Sequence, residues 1–200
     1  MKKTVTKKTV IRKTISHTLI TALFALTASS AIAATQECDI NLTKSAPDVR
    51  FKDNKDGTVS DLRTDLVWRR CTLGQTWNQT NNICDGKPTG MYWQAALQRT
   101  EIINNDKSDP LHQLGGRQEW RLPNIKELLS LRESSCVSPA LNKRFFPLNF
   151  DFVSVESTAW SSTPARASTG YVFVMGLADG LTNKFGSTDY KLGVILVSDK

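Results

Sequence analysis

Histidine is almost missing from this chain, with two in 200 residues, His17 near the N-terminus and His112 in a polar stretch with no obvious partner. Four cysteines are present (Cys38, Cys71, Cys84 and Cys136), but no two stand at C-x-x-C spacing. A structural zinc site wants such close pairs, usually with histidine, so that class is excluded. Long apolar runs are missing too. The stretch at 19–28 is about half of the ~20 residues that a spanning helix needs. Heptads, internal repeats and low-complexity tracts are absent, which removes coiled coils and solenoids.

What is present begins with an N-terminal address. Lys2, Lys3, Lys7, Lys8, Arg12 and Lys13 come without any acid, the apolar stretch follows, and "SSAIAA" supplies small residues at Ala31 and Ala33. That order is a secretory signal peptide over residues 1–33, cut between Ala33 and Ala34. Cys38 follows "TQE" rather than small apolar residues, so no lipid anchor is expected, nor any membrane span after cleavage. Six of the 26 basic residues and none of the 19 acidic ones lie in the signal, leaving 20 against 19 and a net charge of +1. The high isoelectric point therefore belongs mostly to the leader and gives no argument for nucleic acid as a partner.

An even cysteine count in an exported chain implies two disulfides, with three possible connectivities. Cys71 and Cys84 close a short loop rich in Asn, Gln and Thr, which pairs them and leaves Cys38 with Cys136. The second bridge would pin a loose N-terminal arm, residues 34–47, to the domain body. "NLT" and "NQT" fit the glycosylation sequon, but the leader is of bacterial type and both are taken as coincidence.

From residue 48 the chain alternates short β-prone runs with turns. "VRF", "TVS" and "LVWRR" read as strands, and 72–90 as a polar loop. Trp93, Ala96, Leu97 and Thr100 share one face of a helix predicted over 91–103. A second helix follows Pro123, with Asn124 as N-cap and Glu127 completing a capping box. Its buried face is expected to be Ile125, Leu128, Leu129 and the stem of Arg132. The intervening 104–118 is long enough to be functional or mobile. "SPALNKRFFP" suggests a short helical turn. "TAWSST", "YVFVMGL", "TNKFGS" and "KLGVILVS" read as strands, with Asp179-Gly180 as a hairpin turn. The fold class is α+β, with short antiparallel strands around two main helices and two disulfides.

"DNKDGTVSD" invites a calcium reading. With Gly57 as sixth residue of an EF-hand-type loop, Asp56 is fifth and Asn54 third, but the first position is Lys52 and the twelfth Arg63. Both ends fail, no metal is implied, and Asp56-Gly57 is read as a hairpin turn.

"DNKDGTVSDLRTDLVWRRC", "YWQAALQ", "EWRLPNIKELLSL", "AWSSTPA" and "YVFVMGLADG", in this order, resemble the bacterial domain named for the C-terminal domain of the collagen-like adhesin Lcl, over residues 48–198. The resemblance implies an exported domain, distantly C-type-lectin-like. "RLPNIKEL" is similar to the "RLPTEAEW" element of sulfatase-modifying-factor-like domains, whose late cysteine pair this chain lacks. It also implies an adhesive, non-enzymatic role, since the adhesin binds sulfated glycosaminoglycans as a trimer. This chain has no Gly-X-Y tract, and "GVILVS" stands where members often carry arginine. The Glu-Pro-Asn and Trp-Asn-Asp elements of calcium-dependent lectins are absent as well.

No cofactor is implied. The candidate ligand-binding residues are Arg117, Trp120, Arg121, Lys126, Lys143 and Arg144, around "EWRLPN" and the second helix. Arginine suits sulfate through its planar fork. Against this, Trp120 and Leu122 could be core, Arg121 could be ion-paired, and Glu119, Glu127 and Glu133 dilute the charge. Trp160 is expected in the core against the second helix. Possible partners are an extracellular glycan or an envelope protein, in the periplasm or at the cell surface. Intact-mass measurement of the exported protein should place the mature N-terminus at Ala34; a chain beginning at Met1 would contradict the leader.

Overall fold

The computed structural model describes residues 35–148 and 154–200. The signal segment and its cleavage point lie outside the described residues. In chain order the elements are β1 (Glu37–Cys38), β2 (Phe51–Asp53), β3 (Thr58–Asp61), β4 (Leu66–Arg69), β5 (Thr76–Asn78), β6 (Ile83–Asp85), α1 (Trp93–Asn105), α2 (Ile125–Ser130), β7 (Cys136–Val137), β8 (Thr158–Pro164), β9 (Tyr171–Gly176), β10 (Thr182–Gly186) and β11 (Val197–Asp199). β11-β4-β3-β2 form one antiparallel sheet and β10-β9-β8 another, while β1-β7 and β5-β6 are two-stranded. This is an α+β fold. No described helix is long and apolar enough to cross a membrane.

Residues 192–197 join the two larger sheets. Leu192 bridges Met91, Gly193 bridges Ala159, and Val197 bridges Arg121 while pairing with Trp68 of β4. Only the end of "KLGVILVS" is regular strand, yet its backbone is bonded on both sides: Gly193 and Val194 carbonyls accept from the N–H groups of Trp160 and Leu73. Side chains along an extended segment alternate faces. Ile195 and Val197 therefore enter one core with Trp68, Ala159 and Leu128. Val194 and Leu196 enter the other with Val67, Trp160, Ala96 and Ile103. Both faces are covered, α2 on the first and α1 on the second, which is why the segment is apolar without interruption.

Both helices form where patterning and capping place them, with shifted ends. α1 starts at Trp93 because Met91 is held in its bridge to Leu192. Ala96, Thr100 and Ile103 are its buried face. At α2 the Asn124 side chain accepts from the Glu127 N–H, and the Glu127 carboxylate accepts from the Asn124 N–H. The helix is only six residues long. Leu128 and Leu131 are its inward anchors, with Ile125 and Leu129 half-buried, while Arg132 has left the helix to bridge Leu141. Trp160 is a core residue, but it lies on the α1 side; its neighbour Ala159 faces α2.

Asp56-Gly57 turns β2 into β3, and Gly57 adopts φ 87°, which glycine takes without strain. The carboxylates of this turn serve the fold: Asp56 accepts from the Thr58 N–H, and Asp53 pairs with Lys55 and Arg70. Asp179-Gly180 likewise turns β9 into β10.

Cys71–Cys84 and Cys38–Cys136 are both bonded, as spacing suggested. The arm is not loose apart from Cys38. Gln36 donates to the Pro139 and Leu141 carbonyls, and the Glu133 carboxylate accepts from the N–H groups of Ser45 and Ala46. Beneath the arm, Arg50 and Asp61 form a buried ion pair, and Arg50 also donates to the Ser130 carbonyl at the end of α2.

Glu133, 2% exposed, is the acid-sensitive part of the arm joint. Burial disfavours its charge, but donors from Ser135, Ala46 and Ser45 outweigh that and hold its carboxyl below the ordinary 4.5. Its folded pKa lies below the unfolded one, so its contribution is complete above about pH 4.5 and is lost as pH falls through the lower, folded value. Glu133→Gln should cost about 2 kcal/mol at neutral pH. It should also flatten the acid limb of a stability-versus-pH series by denaturant unfolding; an acid limb as steep as the parent's would contradict this assignment.

Candidate functional site

A cavity of about 450 Å³ lies between the end of β4, the β5-β6 hairpin, α1 and the loop that follows it. Each wall has a local cause. The Cys71–Cys84 bond fixes the hairpin against β4, with Trp77 opposite Cys84 in register. Arg70 stacks its guanidinium 3.7 Å above the Trp77 ring and donates to the Phe145 carbonyl. Gly74, at φ 90°, lets the Leu73 carbonyl accept from the Thr89 N–H; a Cβ there would lie 2.3 Å from the Thr89 hydroxyl. The α1 loop closes the other side, because Asp109 pairs with Arg99 at 2.5 Å and also accepts from the Leu111 N–H. Arg99, the first cause, holds the Asp109 carboxyl below its usual range. The stretch 104–118 thus supplies Pro110, Leu111 and Leu114 to the wall.

Two arginines line this mainly apolar space. Arg69, 5% exposed, donates to the carbonyls of Cys71, Thr72 and Gln75. Among the described residues it has no carboxylate partner. Burial, and then repulsion from Arg99, push its pKa down to about 10, so it remains charged at neutral pH. Asp56 stands exposed at the mouth.

None of the six residues named from sequence lines this cavity. Trp120 is 1% exposed and packs in the α1-side core, with its backbone held by Asn104. Arg121 forks onto Glu127 at 2.8 and 2.9 Å and reaches Asp199 at 2.8 Å, which braces the α2 cap against β11. Glu127 and Asp199, opposing burial, raise the Arg121 pKa. Arg117 is half-buried, with a buried Nε that has no hydrogen-bond partner among the described residues. Lys126 is exposed on α2. The structure brings together only Lys143 and Arg144. They are exposed on the turn after Asn142 and border a polar recess of about 160 Å³ with Lys44, Asp48 and Glu133. Arg144 pairs with Asp48 at 2.9 Å.

Sequence reasoning missed Arg69 and Arg99. The signal for Arg69 was available: consecutive arginines in "LVWRRC" must point to opposite faces of a strand. With both faces covered, each guanidinium meets a different interior.

No curated protein and no solved structure matched the chain in comparisons with both. A family model described as the Lcl C-terminal domain matches residues 57–197, from the first hairpin glycine to the strand that joins the sheets. That match covers most of the chain and includes both cavity arginines, so this protein belongs to the Lcl C-terminal domain family.

Proposed function

We propose that the chain is an exported, non-enzymatic binding module with a C-type-lectin-like core, working in the periplasm or at the bacterial surface. One observation carries the choice of binding over catalysis: among the described residues the cysteines, the histidine and the carboxylates of Glu127 and Glu133 are engaged in holding the fold together. All four cysteines are in disulfides. The His112 ring bonds the Ile103 carbonyl, Glu127 caps α2, and Glu133 binds the arm. Two disulfides suit an oxidising compartment. Membership of a family named for an adhesin's domain supports the same reading.

The ligand class we propose is an extracellular sulfated glycan, met by Lys143 and Arg144 with Lys44 beside them. These cations are exposed and flank a polar recess at the joint between arm and body. An arginine fork and flexible lysines suit spaced sulfates. A second reading, an accessory subunit of an envelope assembly, is favoured by the arm's bare apolar side chains. Ile40 is 94% exposed, Leu42 53% and, on the paired β7, Val137 44%. Leu42 and Val137 border one shallow recess, and apolar side chains gathered in a patch mark protein contacts.

An array of sulfated and unsulfated glycans, probed with the disulfide-intact mature chain, tests the first reading. Sulfated members should bind, and the Lys143→Ala/Arg144→Ala double variant should weaken them about tenfold, ~1.4 kcal/mol. Binding unaffected by the double variant, or absent throughout, would refute it; absence together with capture through Ile40 and Leu42 would favour the subunit.

A further inference from the structure

The 450 Å³ cavity holds one charge, that of Arg69, to which the described residues offer carbonyl partners but no counter-ion. Arg99 and Asp109 form a pair and neutralise each other locally. Arg69 is left over. It is 5% exposed, its partners are three carbonyl oxygens, and the neighbouring charge that acts on it is another cation, Arg99. A buried charge without a counter-ion is costly, and carbonyls repay only part of that cost. Around it the wall is apolar, with Leu73, Met91, Pro110, Leu111 and Leu114. The volume is within the range of small-molecule sites, about 300–1,000 Å³.

We propose that this cavity binds a small amphiphilic anion, its single carboxylate or sulfonate set against Arg69 and Arg99 and its apolar body against Leu73, Met91, Leu111 and Leu114. A single negative charge suits the site, because among the described residues Arg99 holds Asp109, Asp56 accepts from Thr58 at the mouth, and Arg69 has no carboxylate of its own. The head group gains from the low-dielectric setting, where charge-assisted hydrogen bonds are stronger. Arg99 is the reachable donor: its side chain is 24% exposed and only one of its nitrogens is taken by Asp109. Asp56 at the mouth disfavours multiply charged ligands. A polyanionic glycan is therefore the wrong ligand for this cavity, which separates the inference from the surface reading above.

Anilinonaphthalene sulfonate is a suitable probe, since it joins one sulfonate to an apolar body. Phenylnaphthylamine is the same body without the charge. Titrated into the disulfide-intact mature chain, the sulfonate should bind saturably at one site per chain, at least tenfold tighter than the amine. Arg99→Gln removes the loop's pair with Asp109 as well as the cation, so it should weaken both probes, the sulfonate about tenfold more than the amine. Leu114→Trp, which fills the cavity from its loop, should weaken both, and Asp56→Asn should tighten the sulfonate about twofold. Binding of equal strength for the two probes, indifference to both Arg99→Gln and Leu114→Trp, or no saturable binding would each overturn the proposal. Heparin displacing the sulfonate competitively would do so as well, since it would place the polyanion in the cavity.

Discussion

Everything in this fold depends on the burial of residues 192–197 between two sheets and two helices. Leu192, Val194, Ile195, Leu196 and Val197 are each 0–1% exposed. Burying one such side chain contributes about 1.5–3 kcal/mol. Their alternation sends them into two cores at once, so neither core is complete without the last ten residues. The same segment satisfies backbone groups of Trp160, Leu73, Met91 and Arg121, which belong to four different parts of the chain. A helix or a loop could not do this. Only extended backbone offers hydrogen bonds along both edges and side chains to both faces.

The candidate cavity is a consequence of that arrangement. Leu73 is positioned by its bond to Val194, and Met91 by its two bonds to Leu192. These residues line the cavity, while a disulfide holds the hairpin beside it and an ion pair the loop. These two wall residues are thereby tied to the most deeply buried part of the molecule. The polar recess near Lys143 is of another kind. It lies where the arm meets the body, held by Glu133, Asn142 and the Cys38–Cys136 bond, and its cations are exposed.

Much of this was legible in the sequence, for physical reasons. The Asn124-Glu127 capping box, the Asp56-Gly57 and Asp179-Gly180 turns and the pairing of Cys71 with Cys84 are local, and local chemistry decides them. The calcium reading of "DNKDGTVSD" failed for a local reason too, since Lys52 and Arg63 stand where oxygen ligands are needed. What was not legible depends on distant parts of the chain. The arm looked loose because Glu133, which binds it, lies 87 residues from Ala46. Arg121 looked available for a ligand because Asp199 is 78 residues away. Trp160 was assigned to the wrong helix because strand periodicity fixes alternation and leaves open which face meets which helix. Arg69 was passed over because a charged side chain in a strand suggests solvent, and only the covered sheet makes it an interior group.

Native-state hydrogen exchange at the C-terminus tests the central claim most directly. The amides of Leu192, Gly193 and Val197 should exchange only through global unfolding, with the same opening free energy as those of β3 and β4. Ordinary chain ends fray and exchange at far lower cost. If these three amides opened well below the global value while β3 and β4 stayed protected, the C-terminal segment would be an appendage of the fold and could not be what joins its sheets.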